Sequence, residues 1–163
     1  MIGVVNLTGA NYNLFMRLVL QRVKKASVVV GQEITGAIDR GLLIFLGVAK
    51  DDTVLDADAL VQKVVELRVF DDAQGKMNLS AADVKASFLV VSQFTLLGNC
   101  QKGRRPSFDD AADPLTAEKL YDHFVQGLKK HPFSVATGRF RAMMEVSLIN
   151  DGPVTLMIDS QCI

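Results

Sequence analysis

The spacing of apolar positions changes several times along the chain, and each change marks an element. Leu18-Val19-Leu20 and Val28-Val29-Val30 are short aliphatic runs joined through residues 21–27. Gly31-Gln32 then supplies a two-residue hairpin turn into a strand over 33–38. Residues 42–48 form a continuous apolar run of strand length, which predicts a buried strand. A helix follows, with Asp51 or Asp52 as its cap. In it Leu55, Ala59, Val61, Val64, Val65 and Leu67 recur near helical spacing through about Arg68. Residues 71–78 are turn-rich, 87–96 read as a strand, and 98–113 are the longest polar stretch. The second helix carries the strongest signals, with Asp113 as N-cap and Pro114 at its first position. Its stripe of Ala117, Leu120, Tyr121, Phe124, Val125 and Leu128 ends in Lys129-Lys130-His131, a charge that suits a helix C-terminus. Strands over 141–149 and 154–158, on either side of a turn at Asp151-Gly152-Pro153, close the chain. The pattern predicts an α+β fold: a largely antiparallel sheet with two main helices.

Composition narrows the function classes. The chain has 163 residues, one domain's worth, and 49% of them are hydrophobic, which excludes global disorder. Eighteen basic residues balance eighteen acidic ones, so nucleic acid can be attracted only by a local patch. Zero net charge also favours self-association, and a homo-oligomer is expected. Cys100 and Cys162 are too few for a disulfide scaffold or a four-ligand zinc site, and no metal or cofactor is expected. No run approaches the ~20 apolar residues of a membrane span, and the first fifteen residues lack the make-up of a secretory signal. A cytoplasmic protein is expected. Residues 1–15, charge-free and asparagine-rich, differ in texture from the rest.

Common catalytic fingerprints are missing: there is no GxGxxG, GxxxxGK[ST], GxSxG or HExxH. His123 falls on the polar side of the second helix and His131 at its end, as solvated histidines do. Four short features remain. Ser92-Gln93-Phe94-Thr95 ends an apolar strand, where hydroxyls either fill hydrogen bonds or, with backbone N–H groups, line a pocket as an oxyanion site requires. The run over 150–155, NDGPVT, is a turn signal. Lys102, Arg104 and Arg105, with Pro106, Ser107 and Phe108, form either a solvated loop or a phosphate-contacting one. Residues 75–78, GKMN, taken alone are a turn.

Taken in order and spacing, these features resemble the D-aminoacyl-tRNA deacylases. The resemblance runs from Met16-Arg17-Leu18-Val19-Leu20-Gln21-Arg22-Val23 through GKMN, SQFTL at 92–96, RPSF at 105–108 and TGRF at 137–140 to NDGPVT. It leaves residues 1–15 as an extension or a misassigned start and 16–163 as a single deacylase domain. Arg141 departs from the pattern, which has a small residue after TGRF. The resemblance implies a partly barrel-like sheet and a cytoplasmic homodimer that hydrolyses the ester between a D-amino acid, or glycine, and the terminal adenosine of tRNA. It implies that Ser92, Gln93, Phe94 and Thr95 line the pocket. It further implies that Gly152 and Pro153, joined in cis, enter the partner's pocket braced by Arg22 and exclude L side chains. Lys102, Arg104 and Arg105 are the expected RNA contacts. Two competing readings are a non-enzymatic homodimeric nucleic-acid-binding module and a conventional hydrolase with Ser92 or Thr95 as nucleophile. No base lies within SQFTL, so the substrate's own 2′-hydroxyl is the expected assistant.

Overall fold

One long strand organises the molecule. Arg17–Val30 (β1) is continuous, because Val23 and Ala26 are buried and carry the apolar face across the segment expected to separate two shorter runs. In chain order there follow β2 (Glu33–Ile38), β3 (Gly41–Gly47), helix α1 (Val54–Glu66) and a small hairpin of β4 (Phe70–Asp71) and β5 (Met77–Leu79). Then come β6 (Ser87–Ser92), a 3₁₀ turn over Phe94–Leu97, helix α2 (Pro114–Lys129), β7 (Val135–Thr137) and β8 (Glu145–Asp159). This computed structural model describes residues 15–101 and 103–163. The extension expected over 1–15 lies outside the described residues except for Phe15, and Lys102 lies outside them too.

The main sheet is ordered β2-β1-β3-β6-β7, with β8 laid along the other side of β1. Pairings are antiparallel except β3–β6 and β6–β7, which are parallel. Each parallel pair is joined through a helix, α1 in one case and α2 in the other, as parallel neighbours require. The sheet curls almost into a barrel. Gly36 on β2 permits this, since a Cβ there would stand 2.4 Å from the Thr137 carbonyl of β7.

The apolar run in β3 is buried on both faces. Leu42, Ile44 and Leu46 pack with α1 and α2, while Leu43 joins Val23, Val28, Leu89 and Val91 inside the barrel. Tyr121 of α2 donates to the Val90 carbonyl at 2.8 Å, fixing that helix on β6.

Three local expectations need correction. The cap of α1 is Thr53, whose hydroxyl accepts from the Leu55 N–H at 3.3 Å while Asp56 accepts from the Thr53 N–H at 2.8 Å. Asp52 is used elsewhere: its carboxylate accepts from the N–H groups of Met16 at 2.8 Å and Ala49 at 2.6 Å. Burial pushes that carboxyl up to about 6. The strand expected through residue 96 stops at Ser92, because Gln93 at φ −147°, ψ 80° leaves extended geometry and starts the 3₁₀ turn. The two closing strands are one, β8, with a bulge in place of the expected turn.

Candidate active site

Ser92 ends β6 on the same edge as the end of β3, and the Gln93 N–H donates to the Leu46 carbonyl at 2.8 Å. That bond aims the following turn outward, leaving Phe94 57% exposed. The Gln93 side-chain amide donates to Thr95 Oγ1, and the Thr95 carbonyl accepts from the Gly98 N–H at 3.0 Å. The first N–H groups of such a turn have no acceptor within it. Those of Phe94 and Thr95 form no hydrogen bond among the described residues.

A cavity of about 590 Å³ opens beside this turn. Ser92, Gln93, Phe94 and Phe108 form one wall, Pro114, Ala117 and Tyr121 of α2 another, and the segment from Phe140 to Met144 a third. Thr95 is not in the lining; it stands behind Gln93, hydrogen-bonded to it. Among the described residues the lining contains no Asp, Glu, His or Lys, and Arg141 is its single charged side chain. Tyr121 is no base: burial pushes its phenol up, and its proton is engaged with the Val90 carbonyl. His123 is paired with Asp58 at 2.7 Å across the two helices, and His131 lies beside Phe133. No group of three or more His, Cys, Asp or Glu among the described residues could hold a metal ion.

Gly152, Pro153 and Arg22 form a second constellation, away from this lining. On β8, Asn150 pairs with Val23 and Thr155 with Gln21, so residues 151–154 face Arg22 alone and bulge outward. The Gly152–Pro153 peptide is cis, and both residues are exposed. Beneath them Arg22, 4% exposed, donates to the carbonyls of Asp151 at 3.1 Å and Gly152 at 3.2 Å. It also reaches the Val69 carbonyl at 2.6 Å and the carboxylates of Asp71 at 3.3 Å and Asp151 at 3.2 Å. The Asn150 amide ties the neck of the bulge by donating to Arg22 O at 2.9 Å and Val154 O at 3.1 Å. The GKMN turn contributes from behind. Asp72 accepts from Lys76 and Gln74 N–H, which holds the β4–β5 hairpin that carries Asp71.

The family model for D-Tyr-tRNA(Tyr) deacylase matches residues 19–159. The chain belongs to the D-aminoacyl-tRNA deacylase family. A D-aminoacyl-tRNA deacylase of Halothermothrix orenii is 57% identical over 145 residues, covering 89% of this chain and 97% of that protein. One from Bacillus cereus is 54% identical over 146 residues, covering 90% of this chain and all of that protein (100%). A solved structure described as the c-Myc DNA unwinding element binding protein superposes with TM-score 0.83 at 41% identity, covering 88% of this chain and 98% of that one. Another, described as a probable eukaryotic D-amino acid tRNA deacylase, gives TM-score 0.79 at 16% identity, with 90% and 100% covered, and bears on the fold alone. The chain is therefore an enzyme, an ester hydrolase, and the non-enzymatic module is set aside.

Beside this cavity the basic loop has a defined root. Asn99 and Ser107 bridge with two backbone bonds of 2.8 and 3.0 Å, and Phe108 then packs edge-on against Phe94 with centroids 5.1 Å apart. Arg104 and Arg105 are exposed on the loop this closes. Sequence reasoning does not single out Asn150 or Phe108 as separate parts of the site, and of the segment from Phe140 to Met144 it marks only Phe140 and Arg141. For Asn150 a signal exists, since an Asn ahead of Asp-Gly commonly bonds nearby backbone.

Proposed function

We propose that this deacylase hydrolyses the ester joining a D-amino acid, or glycine, to the terminal adenosine of tRNA, and that it acts as a cytoplasmic homodimer. The Gly152–Pro153 bulge of each subunit would enter the partner's cavity and reject L side chains. The observation that carries this reading is the Arg22 clamp, a buried guanidinium spent on the carbonyls of Asp151 and Gly152. Burying that charge is costly, and the bonds it makes give an exposed loop tip one fixed backbone position. Such a wedge suits rejection by shape, since backbone atoms are present whatever the side chains.

The dimer draws support from β8. Among the described residues this strand pairs with β1 alone, and Ile149, Leu156 and Met157 are 46%, 38% and 64% exposed on it. A long unpaired edge bearing apolar side chains favours association. Sedimentation at micromolar concentration should give twice the 17.8 kDa chain mass. A fully active monomer would overturn the exchanged-wedge reading.

For the chemistry, Ser92, Gln93 and Phe94 position the ester, and the N–H groups of Phe94 and Thr95 are the oxyanion donors. Water attacks the ester carbonyl while the terminal adenosine's 2′-hydroxyl relays a proton to the departing ribose oxygen, releasing the free amino acid and the tRNA hydroxyl, because no described side chain of the lining can activate a serine or threonine. Lys102, Arg104 and Arg105 are assigned to phosphates of the acceptor end. Replacing all three with Ala should raise KM and flatten the salt dependence of kcat/KM, its slope falling by about 0.7–0.9 for every phosphate no longer neutralised. Identical slopes would return the loop to solvent.

A further inference from the structure

Arg141 sits at the third position of a turn closed by the Ala142 N–H donating to the Arg139 carbonyl at 3.2 Å. Its φ is +59°, in the left-handed region that L side chains rarely adopt and glycine adopts freely. Lys85 is the other described non-glycine residue with positive φ, and it is not part of the cavity lining. Such strain persists where the surroundings impose it, and it concentrates at functional positions. Here it puts Arg141 in the lining of a cavity whose other described residues are uncharged. Its neighbour in the turn, Arg139, is paired with Glu33 at 2.6 Å, whereas Arg141 forms no ion pair among the described residues. A cation left unpaired at the rim of a substrate cavity is available to an anion that arrives with the substrate.

We propose that Arg141 is a substrate-binding residue that contacts the phosphodiester next to the terminal adenosine, so that the cavity distinguishes an ester carried on RNA from the same ester on a free nucleoside. The inference rests on the deacylase reading. The ester itself is uncharged, and the amino acid's ammonium is repelled by a guanidinium. The one anionic group close to the scissile bond is therefore the phosphate on the adenosine's 5′ side. Arginine suits it through its planar fork of donors. This site is separate from the loop bearing Arg104 and Arg105, which lies beyond the Asn99–Ser107 bridge.

The test compares two substrates, D-tyrosyl-tRNA and the D-tyrosyl ester of free adenosine, which has no phosphate. It uses the unsubstituted protein, Arg141→Gly and Arg141→Lys. Glycine adopts the turn's φ without strain, so Arg141→Gly should melt no lower than the parent. On D-tyrosyl-tRNA that variant should raise KM on the order of tenfold, with kcat within about twofold. Its salt slope should be shallower by about 0.7–0.9, and Arg141→Lys should restore most of that slope. On the adenosine ester all three proteins should be equal. Equal losses on both substrates would make Arg141 a wall or an oxyanion donor and overturn the proposal, as would unchanged KM on tRNA. If the unsubstituted protein cleaves neither ester, the deacylase reading falls first and this proposal with it.

Discussion

Removing the 2′-hydroxyl from the terminal adenosine should slow cleavage of D-aminoacyl-tRNA by about 10²–10⁴-fold, the usual worth of a positioned proton-transfer group. Thr95→Ala, by contrast, should cost no more than about 10²-fold, far from the ~10⁶ associated with removing a true nucleophile from a triad enzyme. The asymmetry follows from the site. Thr95 lies behind Gln93 and out of the cavity lining, and its hydroxyl accepts the Gln93 amide proton. Its backbone N–H, the group assigned to the oxyanion, survives the substitution to Ala. Among the described residues no imidazole, carboxylate or amine stands in the lining to activate either Ser92 or Thr95. Single-turnover rates on matched 2′-hydroxyl and 2′-deoxy substrates separate the cases. A dead Thr95→Ala beside an unaffected 2′-deoxy substrate would put the nucleophile on the protein.

The second large effect is expected at Arg22. Arg22→Ala leaves three backbone carbonyls without their donor and Asp71 and Asp151 without their cation. Breaking a buried charged network of this kind costs about 3 kcal/mol, at the low end of the range because both carboxylates are partly solvated. The functional consequence is sharper than the loss of stability. With the bulge untied, L-aminoacyl-tRNA should begin to be cleaved, and the ratio of D to L rates should fall by about tenfold or more, each ~1.4 kcal/mol of weakened rejection counting tenfold. Arg22→Lys keeps a charge but cannot span the carbonyls, so it should fold better than Arg22→Ala and still lose selectivity. Full discrimination in a folded Arg22→Lys protein would mean the bulge is held by Asn150 and the strand alone.

What could be read from sequence divides along physical lines. Helix α2 was fully legible, because Asp113 accepts from the Leu115 and Thr116 N–H groups at 3.0 and 3.2 Å and the stripe through Phe124 and Leu128 is buried as its spacing implies. The hairpin turn was legible too, with Gly31 at φ +64°. The cap of α1 was not. Asp51, Asp52 and Thr53 are all good caps, and only the approach of Met16 draws Asp52 away. The end of β6 is not legible either, because Phe94 and Leu96 continue an apolar pattern that the backbone at Gln93 breaks. Of the site, SQFT and Gly152-Pro153 stood out by resemblance. That Gly152 and Pro153 fall outside the lining, and that α2 and the turn at Arg141 bring its other walls, are products of tertiary structure that no local pattern encodes. Arg22 falls in the polar segment that locally reads as a joint between two runs, and the resemblance alone marks it as a brace of Gly152-Pro153. The bonds it makes to that pair follow from β8 bulging opposite it.

On this account the cavity hydrolyses D-aminoacyl esters of tRNA while a backbone wedge keeps L-aminoacyl esters out. The decisive measurement incubates the purified protein with D-tyrosyl-tRNA and L-tyrosyl-tRNA in parallel, at matched salt, and follows release of free tyrosine. The expected result is rapid loss of the D ester with the L ester intact over the same interval. Equal cleavage of both esters, or binding of both with cleavage of neither, would contradict it.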